Sequence, residues 1–144
     1  MNLANRVVII TGGKRIGRVV AQQIAERAAD IVLSYRGSKA EAEQTVCDVR
    51  SRGRRAIAVA ADVSVSADCA ALIQSAGDAF GRVDALVNMA SVYGSTPFDE
   101  LTEAGWDRDL TINLKSAFLC AKAAIPAMRA VGGGRIINFA DWLA

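Results

Sequence analysis

A chain of 144 residues is long enough for one domain with a buried core, and 52% hydrophobic residues point to a packed globule, not disorder. Seventeen basic and 15 acidic residues leave a formal net charge of +2, too balanced to imply a nucleic-acid or membrane-surface partner. With no histidine, a Ser-His-Asp triad and histidine metal sites are excluded, and proton chemistry falls to carboxylates, Tyr, Lys, Cys or water.

Met1 to Arg6 lead straight into a strand, so no signal peptide is expected, and no apolar run is long enough to span a bilayer. The first apolar run, Val7 to Ile10, is β-rich and ends at Thr11-Gly12-Gly13. Further runs follow at Ile31 to Tyr35, Ala56 to Ala60, Ala85 to Val87 and Ile136 to Phe139. Each is apolar on both faces, the pattern of strands covered by helices on both sides.

Helical spacing fills the intervals. Ile16, Val20 and Ile24 form one stripe, Ala42, Val46 and Val49 a second, and Cys69, Ile73, Ala76 and Phe80 a third. Ser64 or Ser66 is the expected cap of the third helix, with Asp68 in its first turn. The fourth connection is longer: Leu110, Leu114, Phe118, Ala121, Ile125 and Met128 repeat at steps of four and three, with Thr102 as cap. Pro126 sits late in this pattern and is expected to kink the last turns, before Gly132-Gly133-Gly134 ends the helix. Strand and helix alternate throughout, which predicts a doubly wound α/β fold of Rossmann type. The expected sheet has five parallel strands in the order 3-2-1-4-5, in a single dinucleotide-binding domain over residues 1–144. Cys47, Cys69 and Cys120 all fall in helical stretches at spacings that match no metal pattern. They read as small thiols in a reduced cytoplasm, and no metal is expected.

Between the first strand and the first helix lies Thr11-Gly12-Gly13-Lys14-Arg15-Ile16-Gly17. A Gly-rich turn there lets the backbone approach a pyrophosphate, and the helix N-terminus supplies N–H donors and a positive dipole end. This loop resembles the Thr-Gly-x-x-x-Gly-x-Gly loop of the short-chain dehydrogenase/reductases. It is one residue shorter, with Arg15 where the middle glycine usually stands. Its Lys-Arg-Ile-Gly ending is closest in motif to the pteridine-reductase-like branch of that family.

The resemblance extends over essentially the whole chain and covers the N-terminal, nucleotide-binding portion of the family's fold. It implies a nicotinamide cofactor on Gly12, Lys14, Arg15, Ile16 and Gly17. The second strand ends Ser34-Tyr35-Arg36-Gly37-Ser38, without the carboxylate that an NAD-type site usually places on the ribose. Arg36 is expected to clamp the 2′-phosphate of NADP (NADPH), with Arg15, Tyr35 and Ser38 close by. Asp62-Val63 is expected at the adenine. Asn88-Met89-Ala90-Ser91 is similar to the family's Asn-Asn-Ala-Gly, so Asn88 and Ala90 are expected to stabilise the sheet and line the cleft.

For catalysis the resemblance implies Asn113, in Thr111-Ile112-Asn113-Leu114-Lys115, as the residue that holds a water in the proton relay. Asp141 stands where the family places a serine, as in the pteridine-reductase-like branch. The family's Tyr-x-x-x-Lys pair has no counterpart after the last strand. The string Tyr35-Arg36-Gly37-Ser38-Lys39 lies at the adenosine end and reads as coincidence, and Tyr93 has no lysine at the right spacing.

The implied activity is hydride transfer between NADP and a carbonyl or related small-molecule substrate, impaired in a truncated chain that lacks the Tyr/Lys pair. The alternatives are a cofactor-binding module, a catalytically inactive truncated member, and an interaction protein that kept the fold alone. Without the helix that carries the pair, apolar surface on the sheet and on the Leu110 to Met128 helix stays uncovered, so a cytoplasmic homo-oligomer is expected, with no nucleic-acid or membrane partner.

Overall fold

The computed structural model describes residues 2–140, and in it the five apolar runs pair into one parallel sheet. The strands are β1 (Val7–Thr11), β2 (Asp30–Tyr35), β3 (Ala56–Ala60), β4 (Ala85–Asn88) and β5 (Arg135–Asn138), in the order β3-β2-β1-β4-β5. The helices between them are α1 (Ile16–Ala25), α2 (Lys39–Arg50), α3 (Ser66–Phe80), α4 (Glu103–Leu110) and α5 (Ser116–Ala130). A 3-10 turn, Phe98–Glu100, precedes α4, and a π-helical turn, Thr111–Lys115, joins α4 to α5. The expected doubly wound topology is therefore present.

Alternation along the central strands sorts the core into two layers. Val7, Ile9, Val32 and Leu86 point to the face covered by α3 and α5. Val8, Ile10, Ile31, Leu33 and Val87 point to the face covered by α1 and α2. β1, β2 and β4 are buried over nearly their whole length. The edge strands are not: β3 is only partly covered and β5 is mostly exposed, so these two depart from the expectation of burial on both faces.

The helix stripes come out differently in each helix. In α2, Ala42, Val46 and Val49 are buried as expected, and in α3 so are Cys69, Ile73 and Ala76. In α1 the buried residues are Gly17, Ala21 and Ala25, whereas Ile16 is exposed. Small residues let this helix lie close to the sheet, Val20 and Ile24 are half-buried against the core beside them, and Ile16 and Val19 are exposed. In the long connection, Leu110, Leu114, Phe118 and Ile125 lie on the exposed side, and α5 buries Ser116, Cys120, Ala124 and Met128. The expected stripe thus mixed two faces, sharing only Met128 with the buried one.

Thr102 caps α4 as expected, its hydroxyl accepting from the Gly105 N–H at 3.1 Å. Neither Ser64 nor Ser66 caps α3. Val65 occupies the cap position without a side-chain bond, and the Ser64 hydroxyl donates to Asp62 instead. α5 continues for four residues past Pro126, and the glycine run then returns the chain to β5.

Two aspartates pin the N-terminal ends of the strands. Asp84, 2% exposed, accepts from Arg82 at 2.7 Å, from Arg6 at 3.0 Å and from the Val7 N–H at 2.9 Å. Asp30 accepts from Arg55 at 2.8 Å and forms an ion pair with Arg54 at 2.8 Å. Burial pushes both carboxyls up, but the arginine and N–H bonds outweigh it, and the net shift is downward from 3.8. A folded value below the unfolded one gives stability that is present above the ordinary carboxylate range and lost as pH falls through the folded value. Asp84→Asn removes the charge that the partly exposed Arg6 and Arg82 share and should cost about 2 kcal/mol in urea unfolding at pH 7. The deficit should shrink below pH 4 as the parent loses the same charge. Equal stability of parent and variant at pH 7 would remove this anchor from the account.

Candidate functional site

Parallel strands place all their C-terminal ends on one edge of the sheet, and ligands of such sheets bind there, at the point where strand order reverses. In this sheet that point lies between β1 and β4. The register aligns Ser34, Thr11, Asn88 and Asn138 in one polar row across β2, β1, β4 and β5. Thr11 is 2% exposed, and its hydroxyl accepts from the N–H groups of Met89 (3.0 Å) and Ala90 (3.1 Å). This ties the segment after β4 to the glycine turn after β1. Sequence reasoning did not single out Thr11 for this work, and the only available signal was a threonine closing an apolar strand.

The glycine turn is packed at both ends. Gly12 has φ +87, and a Cβ there would lie 3.3 Å from the Met89 carbonyl oxygen. A Cβ on Gly17 would run into the Gly12 carbonyl, so the first turn of α1 touches the turn that precedes it. Arg15 occupies the cap position of α1 at φ 47 and ψ −108, a conformation that disfavours any side chain. Ile16 opens the helix and is exposed. Lys14 reaches toward α2 and pairs with Glu41 at 3.0 Å on the surface.

At the end of β2, Tyr35 is half-buried and Arg36 is exposed. Ser38 sits at the start of α2, where its carbonyl accepts from the Ala42 N–H. The Arg36 guanidinium lies 3.6 Å from Asp62. Asp62 accepts from the Ser64 hydroxyl at 2.6 Å and the Ser64 N–H at 3.0 Å. These bonds, and Arg36 after them, hold its carboxyl below the usual range, which keeps it an ionised acceptor at neutral pH. Val63 beside it is buried. A cleft of about 770 Å³ opens here, lined by Arg36, Ser64, Val92, Tyr93, Arg108 and Ile112 among others.

Asn88 is buried, and its side-chain amide donates to Asn138 at 2.8 Å, while its own side-chain oxygen has no partner among the described residues. Ala90 is half-buried next to it. Asn113 lies in the π-helical turn and grips the loop after β4 with two bonds. Its amide donates to the Val92 carbonyl at 3.1 Å, and its oxygen accepts from the Val92 N–H at 2.9 Å. The structure thus brings the expected residues of β1, β2, β3, β4 and the π-helical turn to one end of the sheet. Asp141 lies outside the described residues. Among those described, no group of His, Cys, Asp and Glu is placed to hold a metal ion, and no helix is long and apolar enough to cross a membrane.

Comparison with known proteins agrees with this geometry. The sequence profile of the family described as short chain dehydrogenase matches residues 6–141. A short-chain type dehydrogenase/reductase of Picea abies is 36% identical over 98% of this chain and 55% of its own length. Among solved structures, a protein of Sinorhizobium meliloti 1021 assigned as a short-chain alcohol dehydrogenase superposes with a TM-score of 0.89. It is 36% identical, with 95% of this chain and 54% of that one covered. An NAD+-bound xylitol dehydrogenase superposes with a TM-score of 0.89 at 28% identity, with coverages of 96% and 54%. The chain spans about half the length of the curated relatives it matches.

The strain at Arg15 gives a direct test of the turn. Arg15→Gly should raise stability by about 1 kcal/mol in urea unfolding, because glycine adopts a positive φ without the Cβ clash. Arg15→Ala keeps the Cβ and should bring no gain. Equal stabilisation by both would mean that the backbone at Arg15 is relaxed.

Proposed function

The chain belongs to the short-chain dehydrogenase/reductase family, and from that premise we propose that it forms the NADP-binding portion of an oxidoreductase acting on a carbonyl or alcohol. The observation that carries the reading is Arg36 at the end of β2, beside the nucleotide turn and with no carboxylate on that strand end.

The residues present fit the cofactor. Gly17 has no room for a Cβ and Gly12 has a positive φ that disfavours one, so the backbone of the turn stays bare at both positions, and α1 starts directly after it. Its first N–H groups and its dipole suit a diphosphate. When bound, the cofactor donates or accepts the hydride.

The chain's own residues hold and orient the nucleotide. Gly12 through Gly17 bind the diphosphate, with Lys14, Arg15 and Ile16 forming the outer wall. Arg36 takes the 2′-phosphate, exchanging an exposed and weak contact with Asp62 for a charge-assisted, bidentate one. Tyr35 and Ser38 flank it. Asp62 accepts from the adenine amino group and Val63 packs beside the base, while Asn88 and Ala90 line the cleft toward the nicotinamide. Asn113 positions the loop at Val92 and holds a water of the proton relay. Asp141 takes the place of the family's serine and orients or protonates the substrate oxygen. In relatives of greater length a Tyr-x-x-x-Lys pair completes the proton path, and hydride transfer by the whole protein depends on an equivalent of that pair.

Calorimetry with NADPH and NADH on the purified chain tests the assignment. NADPH should bind more tightly, and Arg36→Ala should weaken it by roughly 10- to 100-fold, the worth of a charged hydrogen bond, with NADH nearly unchanged. An equal loss for both cofactors, or tighter binding of NADH, would overturn the NADP reading.

Self-association is part of the same proposal. Leu110, Leu114, Phe118 and Ile125 form an exposed apolar face along α4, the π-helical turn and α5, with a shallow groove of about 450 Å³ among them. Sedimentation at micromolar concentration should show a dimer or larger species, and Phe118→Asp should shift it toward monomer. A monomeric parent chain with a cooperative melt would refute association through this face.

A further inference from the structure

Cys69 on α3 and Cys120 on α5 stand 51 positions apart in sequence, yet their Sγ atoms lie 3.5 Å from each other. Each is 1% exposed, in the core layer that α3 and α5 share with the sheet. The Cys69 thiol donates to the Val63 carbonyl at 3.2 Å, which leaves its sulfur as the acceptor for the Cys120 thiol. The third cysteine, Cys47, is exposed on α2 and belongs to the opposite side of the sheet.

Two thiols in contact across a helix–helix boundary are more than two apolar core residues. We propose that Cys69 and Cys120 form a thiol–disulfide site, which hydrogen peroxide oxidises to an intrachain bond between α3 and α5. The Cys69 sulfur attacks one peroxide oxygen as the O–O bond breaks, giving a sulfenic acid and a first water. The Cys120 sulfur then displaces the hydroxyl, which leaves with a proton as a second water. In sum, two S–H bonds and one O–O bond break, and one S–S bond and two O–H bonds form. Two electrons pass from the sulfurs to the peroxide.

Cys69 is the attacking sulfur because the Cys120 S–H points at it and favours its thiolate, whereas the same contact disfavours that of Cys120. Burial pushes both thiols up, Cys120 further. Entry of the peroxide therefore needs a local opening that bares the Cys69 sulfur while Cys120 stays beside it, and the reaction is slower than oxidation of exposed Cys47.

Oxidation also removes the S–H donor from the Val63 carbonyl. Val63 adjoins Asp62, whose carboxylate faces Arg36 at the nucleotide cleft. Closing the disulfide thus alters the segment that is to hold the adenine. This second consequence rests on the proposed cofactor site, and the disulfide itself does not.

The test uses the full chain carrying Cys47→Ser, treated with hydrogen peroxide, then denatured without reductant, alkylated and mapped by mass spectrometry. The expected result is the loss of two hydrogen masses and one cross-linked peptide pair containing Cys69 and Cys120, reversed by dithiothreitol. Cys120→Ala in the same background should give no such pair. Two thiols still free after prolonged treatment, or sulfinic acid at either position in place of the cross-link, would overturn the proposal. NADPH titration of the oxidised and reduced forms reads the coupling, with several-fold weaker binding expected after oxidation. Unchanged affinity with the cross-link in place would overturn the coupling alone. Absence of NADPH binding in the reduced chain would count against the cofactor site and leave the disulfide standing.

Discussion

The contact of Gly17 with the Gly12 carbonyl sets the geometry on which the candidate site depends. It holds the first turn of α1 against the end of β1, and Ala21 and Ala25 continue the close approach down the helix. A helix held that near the sheet needs small residues on its inner face, which is why Ile16 is turned outward. The same closeness shortens the path from Thr11 to Ile16, and Arg15 is left in a conformation that glycine would take more easily. Strain at a ligand turn persists only where the surroundings enforce it. Here the enforcement comes from the Gly17 contact on one side and the buried Thr11 on the other.

The two ends of the sheet are built on opposite principles. At the N-terminal ends, Asp30 and Asp84 are almost fully buried with two arginines for each carboxylate, although the buried Arg54 Nε has no partner among the described residues. At the C-terminal ends, Asn88 keeps a buried side-chain oxygen without a partner, Arg36 is exposed, and the loop after β4 is secured chiefly by Thr11 and Asn113.

The parts of this arrangement that sequence reasoning reached are those written in local chemistry. Apolar β-rich runs bounded by glycine or polar residues located all five strands, their alternation with helices indicated a parallel sheet, and the strand order followed from the Rossmann type. Thr102 was recognisable as a cap because the hydroxyl acts within three residues. What escaped is set by packing over longer range. Ile16 on α1 and Phe118 and Ile125 on α5 were expected inward because size was taken as the mark of the core, whereas the fully buried positions of α1 are Gly and Ala and those of α5 are Ser, Cys, Ala and Met. Ser64 was expected to cap α3, but Asp62 two residues earlier competes for its hydroxyl, and no periodicity records that competition. The π-helical turn at Thr111–Lys115 was equally hidden, since a single widened turn leaves the apolar spacing almost intact. At the site, Arg36 and Asp62 were both identified, but their contact with each other was not, because it joins the ends of two different strands.

The misjudged faces of the long connection carry a further lesson. α5 packs inward through Ser116, Cys120, Ala124 and Met128, so small side chains fix its distance from α3 and the sheet. Phe118 and Ile125, with Leu110 and Leu114 before α5, are held outward in a strip. A helix stabilised only by its inner contacts would gain more from large residues inside and polar ones outside. An exposed apolar strip of this kind is the surface on which the proposed self-association rests. Packing α5 so closely against α3 also brings Cys69 and Cys120 within reach of each other. The inner face thus accounts for the thiol contact, and the outer face for the surface that association would cover.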